Sequence, residues 1–268
     1  MNEKILAACI HTIGANIFRT FPNKSKAPTY SEIIDNKKGS ATEQDEDEPK
    51  LEESWPHLQL VYELLLKLIM HAEIDAAKMV RHLSESFLIK YVDLFDSEDP
   101  RERDYLKTIL HRIYGKYLEL RPSIKRQIMN TLLRITQLSE THNGMTELLE
   151  LLGSITNGLS VPLKQEHTDF FKMVIVPLHK VKELSAFNNQ LAMCVKNYLQ
   201  KQLTLALDLV KCLIKFWPLS NPAKQIVFIS QMEDVMELIR GQSEIKFGEV
   251  MGPEILAKLI QTSHGMHF

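Results

Sequence analysis

The sequence predicts an all-α protein, a HEAT-like α-solenoid of stacked antiparallel helix pairs, and three observations carry that expectation. Helical periodicity runs through most of the chain, no segment alternates with the period of two that marks a strand, and helix pairs recur at a regular interval. The pairs start near Pro56, Pro100, Gly144 and Asn188, each 44 residues after the last, and again near Pro222 after 34. Periods of about 40 to 47 residues made of two antiparallel helices fit HEAT or armadillo-type repeats, in which each unit buries its apolar face by stacking on its neighbours.

Taken in order, residues 1–19 read as a helix of an incomplete first repeat, with Ile5, Leu6, Cys9, Ile10, Ile13 and Ile17 on one broad apolar face. Residues 20–54 read as an acidic polar loop, because helical patterning dissolves into Pro, Lys, Ser, Asn and Gly and ends in an acidic run at 43–48 broken only by Gln44. That run is a solvated insertion or a binding element for a basic partner. The repeat array spans 55–268. Its first helix, 56–70, carries Leu58, Val61, Leu65 and Leu68, and Leu60 and Leu64 widen the stripe enough to predict burial on more than one side. A helix at 84–95 follows, then a pair at 100–118 and 122–138, broken at Arg121 by Pro122. His142, Asn143 and Gly144 form a turn. Further helices are expected at 145–157, 165–178, 189–199, 203–216 and 223–239, with a last pair of short helices reaching His264.

The helix at 100–118 has the firmest start. Asp99 suits the cap, Pro100 the first turn, and Glu102 the reciprocal position three residues on. Leu106, Ile109, Leu110, Ile113 and Tyr117 recur at helical spacing and face a core. Thr108, His111, Arg112 and Lys116 fall on the other side, a face equipped to hold an anion.

Composition sets the outer limits. With 44% apolar residues among 268, the chain has ample material for a core. Lys and Arg number 32 against 34 Asp and Glu, a net charge of −2, which argues against a surface built for nucleic acid. Cys9, Cys194 and Cys212 form no CxxC pair and read as buried thiols of a reducing compartment. No apolar run approaches the ~18 residues of a spanning helix, and the segment from Ile5 to Phe18 is interrupted by His11 and Asn16. A cytoplasmic or nuclear location is expected, without membrane insertion.

No enzymatic motif is present: there is no GxGxxG, GxxxxGK[ST], GxSxG or HExxH, and the 10 glycines are not clustered. His111, His142, His167 and His179 sit on separate helices or turns with no close ligand pair. Neither catalysis, nor a metal, nor a cofactor is expected; an independent metal-dependent enzyme on these histidines is the weakest reading. A binding groove has more support. Stacking equivalent helices of adjacent repeats would gather Arg112, Arg121, Lys125, Lys164 and His167 near Glu150, over a shallow apolar floor of Tyr114, Leu151 and Ile155. Arg suits bidentate capture of carboxylate or phosphate, Lys a single carboxylate, and the floor a Leu or Ile anchor of an extended peptide. On the residues alone, ordinary solvated helix surface is the favoured reading for the charges, and ordinary core for Ile155.

Four segments then carry a resemblance: WPHLQLVYELLLKL from Trp55, LFDSEDPRERDYLKTILHRIYGKYLELR from Leu94, HNGMTELLELLGSITNGLSVPLKQEH from His142 and VPLHKVKELS from Val176. They closely resemble the B-prime regulatory subunits of protein phosphatase 2A. The resemblance implies a HEAT-like solenoid and a non-catalytic subunit that joins a scaffold subunit and a Ser/Thr phosphatase catalytic subunit and selects substrates. It also implies docking of Leu-x-x-Ile-x-Glu motifs, acidic or phosphorylated, in a groove between two central repeats. The positions that correspond are Thr108, His111, Arg112, Tyr114 and Arg121 from one repeat and Glu150, Ile155, Lys164 and His167 from the next. The motif glutamate is assigned to Lys164 and His167, and an intervening phosphate to His111 and Arg112. Two positions depart: Lys125 stands where arginine is expected, keeping charge but losing a planar fork, and Leu151 replaces isoleucine at similar volume. The chain resembles a form shortened at both ends, so a solenoid adaptor that keeps the groove without joining the phosphatase is the alternative.

Overall fold

Every regular element is helical among the residues described in the computed structural model, which are 3–21, 51–138 and 140–240. The order is α1 (Glu3–Ile17), α2 (Trp55–Met70), α3 (Ala76–His82), α4 (Glu85–Asp93), α5 (Pro100–Lys116), α6 (Arg121–Leu138) and α7 (Met145–Asn157). Then come α8 (Gln165–Phe170), α9 (Val176–Leu178), α10 (Leu184–Lys201), α11 (Ala206–Lys215) and α12 (Pro222–Arg240). The acidic run at 43–48, most of the loop at 20–54 and the expected helices near His264 lie outside the described residues.

Residues 1–131 with 140–148 form one unit. In it, α2 packs against both α1 and α5, as equivalent elements of stacked repeats do. α1 buries Leu6, Ile10, Ile13 and Ile17, and α5 buries Leu106, Ile109, Leu110 and Ile113, both at three-and-four spacing. One expectation is corrected here. Leu60 and Leu64 are 66% and 44% exposed, so they do not widen the buried stripe of α2 as expected. Its core face is Trp55, Leu58, Tyr62, Leu65, Leu68 and Ile69, and Leu60 lies about 200° round the helix from Leu58. The helix expected at 84–95 is present as α4, which runs on into a 3-10 turn at Leu94–Asp96, and the short α3 before it was not expected. α3 and α4 start separately because Asp75 accepts from the Ala77 N–H and Ser84 from the Phe87 N–H.

The α5 start is capped as expected at Asp99, whose Oδ1 accepts from the Arg101 N–H at 2.9 Å. The reciprocal half of the box does not form. The Asp99 N–H donates to Ser97 Oγ, and Glu102 turns inward, wholly buried, to Arg19 of the segment after α1. Arg19 donates from both terminal nitrogens to the two Glu102 oxygens at 2.7 and 2.6 Å, Tyr62 Oη donates at 2.6 Å, and Ser97 Oγ also donates. A buried carboxylate needs this many donors to offset its lost hydration.

Residues 132–139 and 149–268 form the second unit. Here α10 packs on α12, α9 on α11, and α11 on α12. α8 widens into a π-turn at Phe171–Ile175 before α9, where Pro177 brings no N–H to the helical ladder. α10 begins five residues before the expected 189, with a kink at Phe187 (φ −130°, ψ 15°).

Hydrogen bonds inside each unit repeat the period of the sequence. In the first unit Lys116 Nζ donates to the carbonyls of Ile69 and His71, at the end of α2. In the second, Lys201 Nζ donates to those of Asn157 and Leu159 after α7, and Lys224 Nζ to those of Lys180 and Val181 after α9. Each lysine reaches 42 to 47 residues back, and each puts a cation on carbonyls that a helix end leaves without partners. Cys194 is buried and Cys9 and Cys212 are half-buried, all three free. No helix among the described residues is long and apolar enough to cross a membrane.

Candidate peptide-binding site

In the first unit, the expected site residues lie on α5 and at the start of α6. Its core stripe turns His111 and Arg112 outward, and both are exposed, with Thr108 half-buried beside them. The His111, Arg112 and Lys125 side chains make no hydrogen bond or ion pair with any described residue. Among the described residues, two cations and an imidazole thus keep their hydrogen-bond donors unused. Arg121 is built differently. Its Nε donates to the Tyr114 carbonyl at 2.9 Å and Nη2 to the Gly115 carbonyl at 3.3 Å, and its guanidinium lies 5.0 Å from the Tyr114 ring centroid. Arg121 therefore caps the α5 C-terminus and stacks on Tyr114, with three of its five N–H donors left over. Burial raises the Tyr114 phenol pKa, with Arg121 opposing.

In the second unit, the expected site residues are Glu150, Leu151, Ile155, Lys164 and His167. Leu151 and Ile155 are 4% and 6% exposed, so little of either side chain reaches the surface. Lys164 occupies the cap position of α8, its backbone carbonyl accepting from the His167 and Thr168 N–H groups while its side chain is exposed. His167 is half-buried with Nε2 3.4 Å from Glu166 Oε1. Glu150 accepts from Gln190 Nε2 at 3.4 Å. His142 and His179 sit elsewhere, in the turn before α7 and in the core. Among the described residues no three His, Cys, Asp or Glu side chains come together as metal ligands.

Sequence reasoning passed over a cleft of about 570 Å³ inside the second unit, between α7 and α10, lined by Glu150, Ser154, Asn157, Asn189, Gln190 and Asn197 above Leu149, Gly153 and Met193. The readable signal was positional. Residues 149, 150, 153, 154 and 157 form one helical stripe, and 189, 190, 193 and 197 another, with uncharged amides dominating the second.

The sequence model of the protein phosphatase 2A regulatory B subunit (B56 family) matches residues 1–266. The chain is 42% identical over 266 residues to the human serine/threonine-protein phosphatase 2A 56 kDa regulatory subunit delta isoform. It is 41% identical over 262 residues to the human beta isoform. It is also 41% identical over 269 residues to the 57 kDa B' beta regulatory isoform of the same phosphatase from Arabidopsis thaliana. Each match covers 98% of this chain but 42%, 50% and 52% of the respective relative, so the chain spans about half the length of the proteins it matches. The relatives are named as regulatory subunits, not catalytic ones.

Proposed function

The chain belongs to the B56 family of protein phosphatase 2A regulatory B subunits, and from that premise we propose that it is a non-catalytic, substrate-targeting subunit that docks Leu-x-x-Ile-x-Glu motifs. Its partners in this reading are the phosphatase scaffold and catalytic subunits and proteins that carry such motifs, in the cytoplasm or nucleus. The observation that supports the reading most is the exposed Arg112, which no described residue neutralises, one turn of helix from Thr108 and beside His111. An arginine left to solvent has its planar fork available for a carboxylate or a phosphate at the cost of displacing water alone. Lys164, exposed at the start of α8, has the same availability for the motif glutamate.

Titration of a fluorescent Leu-x-x-Ile-x-Glu peptide, read by anisotropy, tests this. Binding with a Kd on the order of micromolar is expected, about −8 kcal/mol. Charge reversal at Arg112 and Lys164 together should abolish it, because both sites then repel the ligand. Full affinity in the double variant would refute the assignment.

A further inference from the structure

The α7–α10 cleft shares only Glu150 with the proposed motif site, and it has the dimensions and chemistry of a second ligand site. Its two stripes run from 149 to 157 and from 189 to 197, eight helical steps or about 12 Å each. An extended chain rises about 3.3 Å per residue, so about four residues span the cleft. Gly153 and Ser154 keep the α7 wall low, and the half-exposed Met193 offers apolar contact on the α10 wall.

The polar lining matches a peptide main chain. An amide side chain carries one acceptor and an NH₂ donor, the complement of a peptide C=O and N–H. Asn157 and Asn189 are exposed and, with Ser154, make no side-chain hydrogen bond to any described residue. Asn197 is held in place: Nδ2 donates to the Gly153 carbonyl at 3.0 Å and to Thr156 Oγ1 at 3.3 Å, which leaves Oδ1 as an acceptor. Along α10 the lining positions 189, 193 and 197 advance about 6 Å each, close to the two-residue repeat, about 6.6 Å, at which an extended strand presents outward N–H and C=O groups on one edge.

Charge narrows the ligand further. Glu150 is the one ionisable side chain among the described residues lining the cleft, with no Lys, Arg or His there to hold a phosphate or carboxylate. We propose that this cleft binds an extended peptide segment of about four residues through its main chain, with a Lys or Arg side chain at the Glu150 end. The site requires no acidic motif and operates separately from the Arg112 and Lys164 contacts.

The test is a ¹⁵N NMR titration of the full chain with the acetylated, amidated peptide Lys-Thr-Val-Thr-Val, whose β-branched residues favour extension. Saturable shifts of the Asn157, Asn189, Gln190 and Asn197 side-chain amides are expected, and they should persist in the Arg112→Glu, Lys164→Glu variant. N-methylation of two alternate peptide nitrogens should weaken binding about fivefold per hydrogen bond lost. Ser154→Trp, a surface substitution that fills the cleft, should block it. Silence of the four amides, or equal binding of the N-methylated peptide, would overturn the proposal. Equal binding with Glu in place of the peptide's Lys would overturn its charge preference.

Discussion

Burial sets the behaviour of His179. Its imidazole is 1% exposed, Nδ1 is 3.0 Å from the Val176 carbonyl, and burial pushes its pKa down to about 4. An unfolded histidine titrates near 6.5. Between those values the unfolded chain takes up a proton that the folded one refuses, so stability is full above pH 6.5 and falls as pH drops towards 4, by about 3 kcal/mol at the foot of the window. Denaturation midpoints at pH 7 and 4.5 should converge in His179→Gln more than in the parent chain; equal acid sensitivity would show that this residue takes no part. At Gly144 the constraint is space. A Cβ there would lie 2.3 Å from the Phe95 carbonyl oxygen, so Gly144→Ala must push the start of α7 off the turn at Leu94–Asp96. A loss of about 1 to 3 kcal/mol in urea unfolding is expected. Neither constraint was legible beforehand. His179 read as one of four scattered histidines and Gly144 as a turn residue, because both depend on what the folded chain places against them.

Among elements, the Arg19–Glu102 pair joins the segment after α1 to the first turn of α5, with Tyr62 of α2 bonded to the same carboxylate. Burial opposes the charge on Arg19, but the Glu102 hydrogen bonds and charge outweigh it and raise the guanidinium pKa. Arg19→Met leaves the buried Glu102 carboxyl group without its cationic partner, and should cost about 3 kcal/mol or more. Adding Glu102→Gln should recover part of that loss, so the double variant should be more stable than the sum of the singles; strict additivity in a double-mutant cycle would deny the coupling. The lysine caps predict a milder effect. Lys201→Met removes two bonds to the carbonyls after α7 and should lower stability by about 1 kcal/mol. The Asp99 cap and the core stripe of α5 were readable because each rests on local spacing. Glu102 was misread because spacing alone made it a capping partner, while a residue 83 positions away claims it. Leu60 and Leu64 were misread for a related reason: apolar residues widen a pattern without saying which side a neighbour covers.

For the whole chain, the 44-residue period was legible in the spacing of Pro56, Pro100 and Gly144, and it returns as hydrogen bonds joining residues 40 to 48 apart within each unit. The proposed motif site was legible as a list of residues, through family resemblance, more than as a surface. Structure distinguishes within that list the cations left to solvent, Arg112 and Lys125, from Arg121, which also caps α5, and from the largely buried Leu151 and Ile155. The amide cleft went unread because asparagines on a helix look like solvated surface until a second helix faces them.

Membership of a family of regulatory subunits makes phosphatase targeting the central claim. Its most direct test measures kcat/KM for dephosphorylation of a substrate fused to a Leu-x-x-Ile-x-Glu motif, by purified scaffold and catalytic subunits, with and without this chain. The account predicts co-purification of all three proteins and a rise in kcat/KM that the Arg112→Glu, Lys164→Glu variant lacks. A chain that binds the motif peptide yet neither co-purifies with the scaffold nor changes kcat/KM would contradict it and leave a peptide-binding adaptor in its place.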